Sequence, residues 1–405
     1  MEVHACDVDL VRYMTPNNFA TAEREFLTSQ RSIMPNFTYD HYDFNGQLAK
    51  LSEIDHQLDD EQSGLHPAQV QIISEYLAEV KLKLENLMTM QRYREERDSG
   101  ASQASLAPLR KSIEDANVRL NGLPEPDVYR CLLENPTAKN TVGFVPEPEL
   151  IQKFREIFEN KWAKSFTRID KAKYKYSAQE VCDLVNTIIR EDFEFKTDFY
   201  AEVDEKKTGM NVDQIDHILN VPLYRSNGDF TPETVRRIVL GHETFGHLYR
   251  AAFMQSKYPE IGIPLPGYIT FEEGVTKCIE QALSGKFEAP GVESYVICGL
   301  AACDKLNFKE AFDRYCEYAR IRRASPALSE KDLRIIFART ARAFRGTGDI
   351  PWSNSIVYFT GPDKVWQFID RNIDNPELLW RKMFESGKTD PTRASHKQLL
   401  NLYGE

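Results

Sequence analysis

Apolar residues recur at helical spacing over most of the chain, and the clearest example lies in its first third. Residues 67–96, PAQVQIISEYLAEVKLKLENLMTMQRYREE, keep this spacing without an interior glycine or proline. The small, polar connector RDSGASQAS follows, and the spacing resumes at LAPLRKSIEDANVRL. The pattern predicts an antiparallel helical hairpin, with 98–106 either a subdomain boundary or a turn within one domain.

The remaining pattern predicts further helices and one small sheet. Helical spacing covers 148–160, 178–191, 232–255, 270–285, 292–305, 307–322, 328–343 and 362–384, and the second of these opens with a capping box at Ser177 and Glu180. Between about 192 and 224 the segments FEFKTDFYAEV and HILNVPLYR favour extended structure. The fold class that follows is mainly α with a small β-sheet (α+β). We expect an N-terminal helical region, 1–145, and a second region, 146–405.

Composition and charge argue against several classes of protein. The 405 residues are 41% hydrophobic and 28% charged, which is ordinary for a globular chain, and the formal net charge of -11 argues against nucleic-acid binding. No run approaches the ~20 apolar residues of a membrane span, and the N-terminus, MEVHACDVDLVRYM, lacks the pattern of a signal peptide. Seven scattered cysteines without a C-x-x-C pair indicate reduced thiols. We expect a cytoplasmic protein with neither nucleic-acid nor membrane partners.

The candidate chemistry lies in the helix predicted over 232–255. The segment TPETVRRIVLGHETFGHLYRAAF begins with a threonine cap and an early proline, and it contains the pattern H-E-x-x-x-H at His242, Glu243 and His247. The zinc-peptidase signature H-E-x-x-H has one residue fewer. On a regular helix an i, i+5 pair lies about 140° apart, so both histidines reach one metal only if the helix contains a wide turn with i→i+5 hydrogen bonds. Gly246 favours such a turn, and the alternative is a pair of structural histidines.

A mononuclear metal site needs a third protein ligand, and the segment PLPGYITFEEGVTKCIEQAL provides two glutamates. Glu272 and Glu273 stand near the start of the helix predicted over 270–285. Adjacent helix positions differ by about 100°, so we expect only one of the two to face the motif helix and the other to be a surface or supporting group. Imidazole nitrogen and carboxylate oxygen are ligands typical of a catalytic zinc ion, so the pattern predicts a Zn²⁺ site.

Three ordered blocks carry a family resemblance. GHETFGHLYR, GIPLPGYITFEEGVTKCIE and RAFRGTGDIPWSNSIVYFTG resemble the tyrosine carboxypeptidases that detyrosinate tubulin, together with their bacterial Q-E-G-L-A relatives. The resemblance covers mainly residues 210–370. It implies a zincin-like metallopeptidase whose catalytic part is the second region. It also implies that His242, His247 and Glu273 are the metal ligands and that Glu243 is the catalytic glutamate.

The chain departs from this family at two places. Glu272 replaces the family's glutamine, and WSNSIVY stands where the family typically has F-T-K-D-x-x-Y, so a lysine is missing. A carboxypeptidase needs a cation for the terminal carboxylate of its substrate. Arg345, Arg250 and Arg342 are the candidates for this substrate-binding role. Tyr358 is the candidate donor to the oxyanion, with Arg345 as the alternative.

The function that these residues indicate is that of a zinc-dependent metallocarboxypeptidase. It would remove a C-terminal residue, tyrosine by the resemblance, from the tail of a peptide or protein. Glu243 would take the proton of the attacking water and pass it to the leaving amine. Two alternatives stay open: a zinc endo- or aminopeptidase, and a non-catalytic binding module that contains a metal. The intact Glu243 argues against the last, because a structural metal site has no need of a base.

Overall fold

The computed structural model of the protein describes residues 6–29, 31–58, 64–137, 143–207, 209–225, 228–259, 264–325 and 327–402. Over these residues the chain is mainly helical with one small three-stranded sheet, as the pattern of apolar residues predicts. None of the helices in this part of the chain has the length and apolar character that a membrane crossing requires. The chain forms two compact units. The hairpin unit comprises Glu2–Val142 and Gly291–Phe359, and the motif unit comprises Gly143–Pro290 and Thr360–Glu405.

The elements follow one another along the chain with short connections. The first helices are α1 (Leu10–Met14), α2 (Phe19–Thr28), α3 (Asn45–Leu58), α4 (Pro67–Asp98), α5 (Gln103–Asn121), α6 (Pro126–Glu134), α7 (Pro148–Lys161), α8 (Ala163–Thr167) and α9 (Ala178–Asp192). The strands are β1 (Tyr200–Asp204), β2 (Asn211–Asp213) and β3 (Ile218–Pro222). The motif helix then runs as α10 (Pro232–Thr234), a π-helix (Val235–Leu248) and α11 (Tyr249–Lys257). The last helices are α12 (Ile269–Ser284), α13 (Val292–Ala302), α14 (Phe308–Arg322), α15 (Glu330–Ala343), α16 (Val357–Asn372), α17 (Pro376–Trp380) and α18 (Ala394–Leu402).

The predicted helices are present with small shifts at their ends, and one of them is divided. The capping box at Ser177 opens α9 as predicted. Segment 362–384, predicted as one helix, contains parts of α16 and α17. The break occurs because the side chain of Asn375 accepts a hydrogen bond from the backbone N–H of Leu378 and Pro376 occupies the first turn, so a new helix begins there.

The division of the chain differs from the predicted split into 1–145 and 146–405 in one segment. Residues up to 137 belong to the hairpin unit and residues from 143 to the motif unit. Residues 291–359, however, return to the hairpin unit, where α13 packs against α6 and α15 packs against α2. Packing between segments so distant in sequence leaves no mark on the spacing of apolar residues, which reports local structure only.

Helices α4 and α5 form the predicted antiparallel hairpin. The side chain of Asn86 on α4 donates a hydrogen bond of 2.9 Å to Asn117 on α5, and both residues are buried. Nearer the turn, Asp349 accepts hydrogen bonds from Tyr93 on α4 at 2.5 Å and from Arg110 on α5 at 2.9 Å. The hairpin is therefore fixed by paired polar groups as well as by its apolar face.

The sheet of the motif unit directly precedes the motif helix in the chain. Its strand order is β1-β3-β2, with β1 parallel to β3 and β2 antiparallel to β3. Helix α9 packs on β1, where the side chain of Asn186 donates to the carbonyl oxygen of Ala201 at 2.9 Å and accepts from its backbone N–H at 2.7 Å. These two bonds satisfy backbone groups of an edge strand and connect the sheet to a helix.

The π-helix is packed closely on α12. Gly241 and Gly246 stand five residues apart, and a Cβ built at either position would lie 2.6 Å from a side-chain carbon of α12. Such a separation is too short for real atoms, so the two glycines allow α12 to approach the backbone of the motif helix. Phe245 stacks on the ring of Trp162, with ring centroids 4.0 Å apart. Close helix packing and aromatic stacking together hold the π-helix in position.

A glycine on α12 offers a test of this packing. A Cβ at Gly274 would overlap the backbone carbonyl of Gly361 on α16, and a backbone group cannot rotate away as a flexible side chain can. We expect Gly274→Ala to lower the free energy of unfolding by about 3 kcal/mol, as overpacking of a tight contact does. The measurement is urea denaturation followed by circular dichroism.

Gly46→Ala is the matched control for this substitution. No atom lies within 4 Å of a Cβ at Gly46, which stands in α3 with an ordinary helical backbone. Alanine restricts the unfolded chain more than glycine does, so we expect a gain of about 0.5–1 kcal/mol. Equal effects of the two substitutions would contradict the close approach of α12 and α16.

Candidate metal centre

The motif helix places both histidines on one side. Over Val235–Leu248 it is a π-helix of 14 residues, longer than the single wide turn predicted from the sequence. At its end the backbone N–H of Tyr249 donates to the carbonyl oxygen of Thr244, five residues earlier. The Nε2 atoms of His242 and His247 lie 3.2 Å apart as a result. The geometric objection to an i, i+5 pair of ligands is thereby removed.

The three residues predicted as metal ligands lie together. One candidate ligand atom from each of His242, His247 and Glu273 falls within 4.8 Å of the other two. The histidine side chains are 12% and 13% exposed, so the cluster is largely shielded yet reachable from solvent. No hydrogen bond to the Glu273 carboxylate is made by any residue in the described part of the chain. Two imidazole nitrogens and one carboxylate oxygen form the donor set of a typical catalytic zinc site.

The hydrogen bonds of the two histidines show that the cluster is built for positive charge. Nδ1 of His242 lies 2.6 Å from Oε1 of Glu280, and Nδ1 of His247 lies 2.8 Å from Oε1 of Glu272. A carboxylate only accepts hydrogen bonds, so each Nδ1 carries a proton and each Nε2 of a neutral ring presents a lone pair. Two lone pairs that face each other at 3.2 Å require a proton or a cation between them.

The pKa values of the two histidines differ in direction. Burial lowers the pKa of His247 to about 3, so this imidazole is neutral at physiological pH. Burial and the charge of Lys277 also act to lower the pKa of His242, but its hydrogen bond to Glu280 and the nearby carboxylates outweigh them and raise it. In the metal-free pair His242 is therefore the ring that binds a proton more readily. A divalent cation at the Nε2 atoms satisfies the same requirement.

Both adjacent glutamates of α12 face the motif helix, so the prediction that only one does so is wrong. Glu272 is not a surface group, because its side chain is 1% exposed. Its carboxylate accepts from His247, from Lys388 at 2.7 Å and from Arg250. It thus orients the ring of His247 and neutralises two buried cations at the same time. No local pattern in the sequence indicated this contact with Lys388, which lies far along the chain.

Arg250 serves this buried cluster, which argues against its predicted role in binding substrate. Its side chain is 0% exposed, and it donates to Glu272 and, at 3.1 Å, to the carbonyl oxygen of Thr389. Burial lowers the pKa of Arg250 to about 9 and that of Lys388 to about 8. A guanidinium enclosed in this way cannot reach the carboxylate of a substrate.

The sequence patterns did not identify Glu280, the carboxylate partner of His242. It lies on α12 and also accepts from Nζ of Lys277 at 2.5 Å. Burial acts to raise the pKa of Glu280, but the hydrogen bond from His242 and the charge of Lys277 prevail and lower it to about 2. A signal was present, because Glu280 follows Glu273 by seven residues and so lies two turns further on the same helix face.

Glu243 borders a cavity beside the histidines. The cavity has a volume of about 230 Å³ and is lined by Gly209, Met210, Arg225, Ile238, His242, Glu243, Lys277 and Glu280. Glu243 is 8% exposed, and its carboxylate accepts no hydrogen bond from the described residues of the chain. An unpaired carboxylate beside a group of metal ligands is suited to accept a proton.

Tyr358 and Arg345, the other predicted site residues, belong to the hairpin unit. Tyr358 is partly buried in the first turn of α16, and Arg345 is partly buried just after α15. Burial and the neighbouring charge of Arg342 lower the pKa of Arg345 to about 10. The oxyanion and carboxylate roles proposed for these residues stay predictions.

Comparisons of the chain with protein-family models, with curated proteins and with solved structures gave no match. The class of site therefore rests on its geometry, which is that of a cluster of two histidines and one glutamate able to hold a metal ion. The family resemblance noted from the motifs stays a prediction.

The ligand assignment is tested by metal content. Purified protein should contain close to one zinc ion per chain, and His242→Ala or His247→Ala should remove it, because two remaining ligands bind zinc poorly. The measurement is atomic absorption after dialysis. His56→Ala, at an exposed position in α3, is the control and should retain zinc. Full zinc occupancy in both motif variants would disprove the assignment.

Substitution of Glu272 should impair stability, whereas substitution of Glu273 should impair zinc binding. Glu272→Ala leaves Arg250 and Lys388 buried without a counter-charge, so we expect the metal-free protein to lose about 3–5 kcal/mol of unfolding free energy. Glu273→Ala breaks no such pair. It should lower zinc affinity by more than the roughly 10–100-fold that follows loss of a group orienting a ligand.

Urea denaturation in chelator and zinc titration measure these two losses separately. The reverse ranking, with stability lost in Glu273→Ala and retained in Glu272→Ala, would mean that the two side chains have exchanged roles.

Proposed function

We propose that the protein is a zinc-dependent, zincin-like metallopeptidase that removes one residue from the C-terminus of a peptide or protein. The observation that carries this proposal is the convergence of two Nε2 lone pairs and the Glu273 carboxylate beside the unpaired carboxylate of Glu243. A structural zinc site has four protein ligands and no free base. Three ligands with an adjacent carboxylate fit a catalytic site better.

The donor set selects among metals. Imidazole nitrogen with carboxylate oxygen suits zinc, whereas sites for magnesium and calcium consist of oxygen atoms. When bound by His242, His247 and Glu273, zinc supplies Lewis acidity, which polarises a carbonyl group and acidifies a water molecule. The partners Glu272 and Glu280 fix the two rings with Nδ1 protonated and so keep each Nε2 directed at the ion.

Glu243 moves the proton in this reaction. Its carboxylate accepts a proton from the attacking water as the oxygen forms a bond to the carbonyl carbon. The same proton then passes to the nitrogen of the leaving amine as the C–N bond breaks. Because Glu243 has no hydrogen-bond donor among the described residues, neither transfer has to break an existing bond of its side chain.

The size of the cavity and the motif resemblance support removal of a single residue. A cavity of about 150 Å³ accepts a benzene molecule, so the cavity of about 230 Å³ beside Glu243 has room for one side chain. The resemblance to tyrosine carboxypeptidases points to the same mode of cleavage and to tyrosine as the residue released.

A library of peptides with free C-termini tests the proposed function. Mass spectrometry should detect products shorter by one C-terminal residue, and a zinc chelator should abolish them. Cleavage at internal bonds, release of N-terminal residues or cleavage that survives the chelator would each contradict the proposal in a different way. A zinc-loaded protein that cleaves no member of the library would favour the binding-module alternative.

The role of Glu243 is tested by its isosteric amide. Glu243→Gln should retain zinc, because this side chain is not a ligand, yet lose at least about 10²–10⁴-fold in the rate of hydrolysis, because glutamine cannot accept the proton. Single-turnover rates and metal content are measured on the same sample. Activity within about threefold of the unmodified protein would reject the mechanism.

A further inference from the structure

The five-residue repeat of the π-helix extends one step before the two histidines. Arg237 precedes His242 by five residues, as His242 precedes His247, and all three lie within the π-helix. Arg237 therefore stands at the preceding position of this five-residue repeat. The Nε atom of Arg237 is buried and has no hydrogen-bond partner. A guanidinium therefore stands one turn before the metal ligands with bonding capacity unused.

A second arginine reaches the same region from the sheet. Arg225 follows β3, lines the cavity with His242 and Glu243, and places its guanidinium over the ring of Phe230 at 5.5 Å. Burial lowers the pKa of Arg225, the carboxylates of Glu243 and Glu280 act in the opposite direction, and the charge of Arg237 lowers it further. The positive charge of Arg237 thus acts on Arg225.

Neither arginine has an ion-pair or hydrogen-bond partner among the residues that the structure describes. The other cations of the region are engaged: Lys277 bonds Glu280, Arg250 bonds Glu272, and Arg236, next to Arg237, bonds Glu159 and the carbonyl oxygen of Leu283. Glu243 and Glu280 lie within electrostatic range of Arg225, but no described residue forms an ion pair with either arginine. An anion that accepts their N–H donors would therefore be bound favourably here.

We infer that Arg225 and Arg237 bind the C-terminal carboxylate of the substrate. The inference rests on the proposed function, because it takes the peptide to be cut at its C-terminus. A guanidinium presents two parallel N–H donors that match the two oxygens of a carboxylate. The cavity beside Glu243 holds the last residue, and its carboxylate meets the arginines. Asn354 stands where the family in the resemblance has a lysine, and Arg250 is buried, so neither residue supplies a cation for the carboxylate. Arg225 and Arg237 supply that cation.

Binding is measured in the Glu243→Gln background, so that the peptide is not consumed. The probe is an N-acetylated hexapeptide ending in tyrosine, used as the free acid and as the C-terminal amide, with the zinc-loaded protein in a calorimeter. Hydrogen bonds to charged groups are among the stronger ones, so we expect the acid to bind about 10–100-fold more tightly than the amide. Arg225→Gln and Arg237→Gln should each remove most of this difference by weakening binding of the acid alone.

The pattern across acid and amide separates a shared contact from general damage. If Arg225 binds the carboxylate, then Arg225→Gln and amidation of the peptide remove the same interaction. Arg225→Gln should therefore not weaken binding of the amide further. Arg225→Lys keeps the positive charge but lacks the two parallel N–H donors of a guanidinium. It should recover part of the preference for the acid. Arg190→Gln, at an exposed position on α9, is the control and should leave the preference unchanged. Zinc content and the melting temperature establish that each variant is folded.

Failure of this inference differs from failure of the proposed function. Release of a C-terminal residue by the unmodified protein, together with an acid-to-amide ratio that both glutamine variants retain, would overturn the role of the arginines alone. Internal cleavage, or equal affinity for acid and amide in the parent protein, would overturn the carboxypeptidase assignment on which it rests. A variant that weakens acid and amide equally would show a structural role and would also overturn the inference.

Discussion

The i→i+5 hydrogen bonding of Val235–Leu248 is the constraint on which the site depends. A regular helix would turn the two histidines about 140° apart, whereas the π-helix brings their Nε2 atoms to 3.2 Å. Its hydrogen-bond repeat is uncommon over so many residues, so packing must stabilise it. Gly241 and Gly246 repeat at the same interval and let α12 approach the backbone. The approach of the two histidines and the close helix packing are therefore two results of one backbone repeat.

Helix α12 contributes to the site in a second way, because it carries the partners of both histidines as well as Glu273, the proposed third ligand. Glu272, Glu273 and Glu280 all stand on this helix. Glu272 is enclosed with Arg250 and Lys388, an arrangement that costs much desolvation and tolerates little displacement of any member. A shift of α12 along the motif helix would break these pairs and both histidine contacts together. The buried charges thus hold α12 in register with the π-helix.

The sequence predicts local elements well because capping residues and apolar spacing act within a few residues. The helix caps at Ser177 and Thr231 and the hairpin of α4 and α5 follow from such signals. The grouping of the three candidate ligands was also predictable, since the motif specifies His242 and His247 and leaves a choice between two adjacent glutamates.

Features that depend on distant segments were not predictable in this way. The return of residues 291–359 to the hairpin unit is one example, and the contact of Lys388 with Glu272 is another. Both arise from tertiary packing, and an apolar or charged residue carries no local sign of its distant partner. Burial then changed the roles inferred for Glu272 and Arg250, because exposure cannot be read from residue type alone.

In the proposed site, the extra residue between the histidines serves both metal binding and recognition of an anion. On an α-helix, H-E-x-x-H would also bring two histidines to one side, at i, i+4. Arg237, five residues before the first histidine, would then stand about 140° from it around the helix and face away from the ligands. The glycines at 241 and 246 would likewise no longer share one side toward α12. A chain with the shorter motif would need its arginine and its glycines at other positions. The five-residue spacing of the histidines, the glycines and Arg237 is therefore one set of mutually dependent positions.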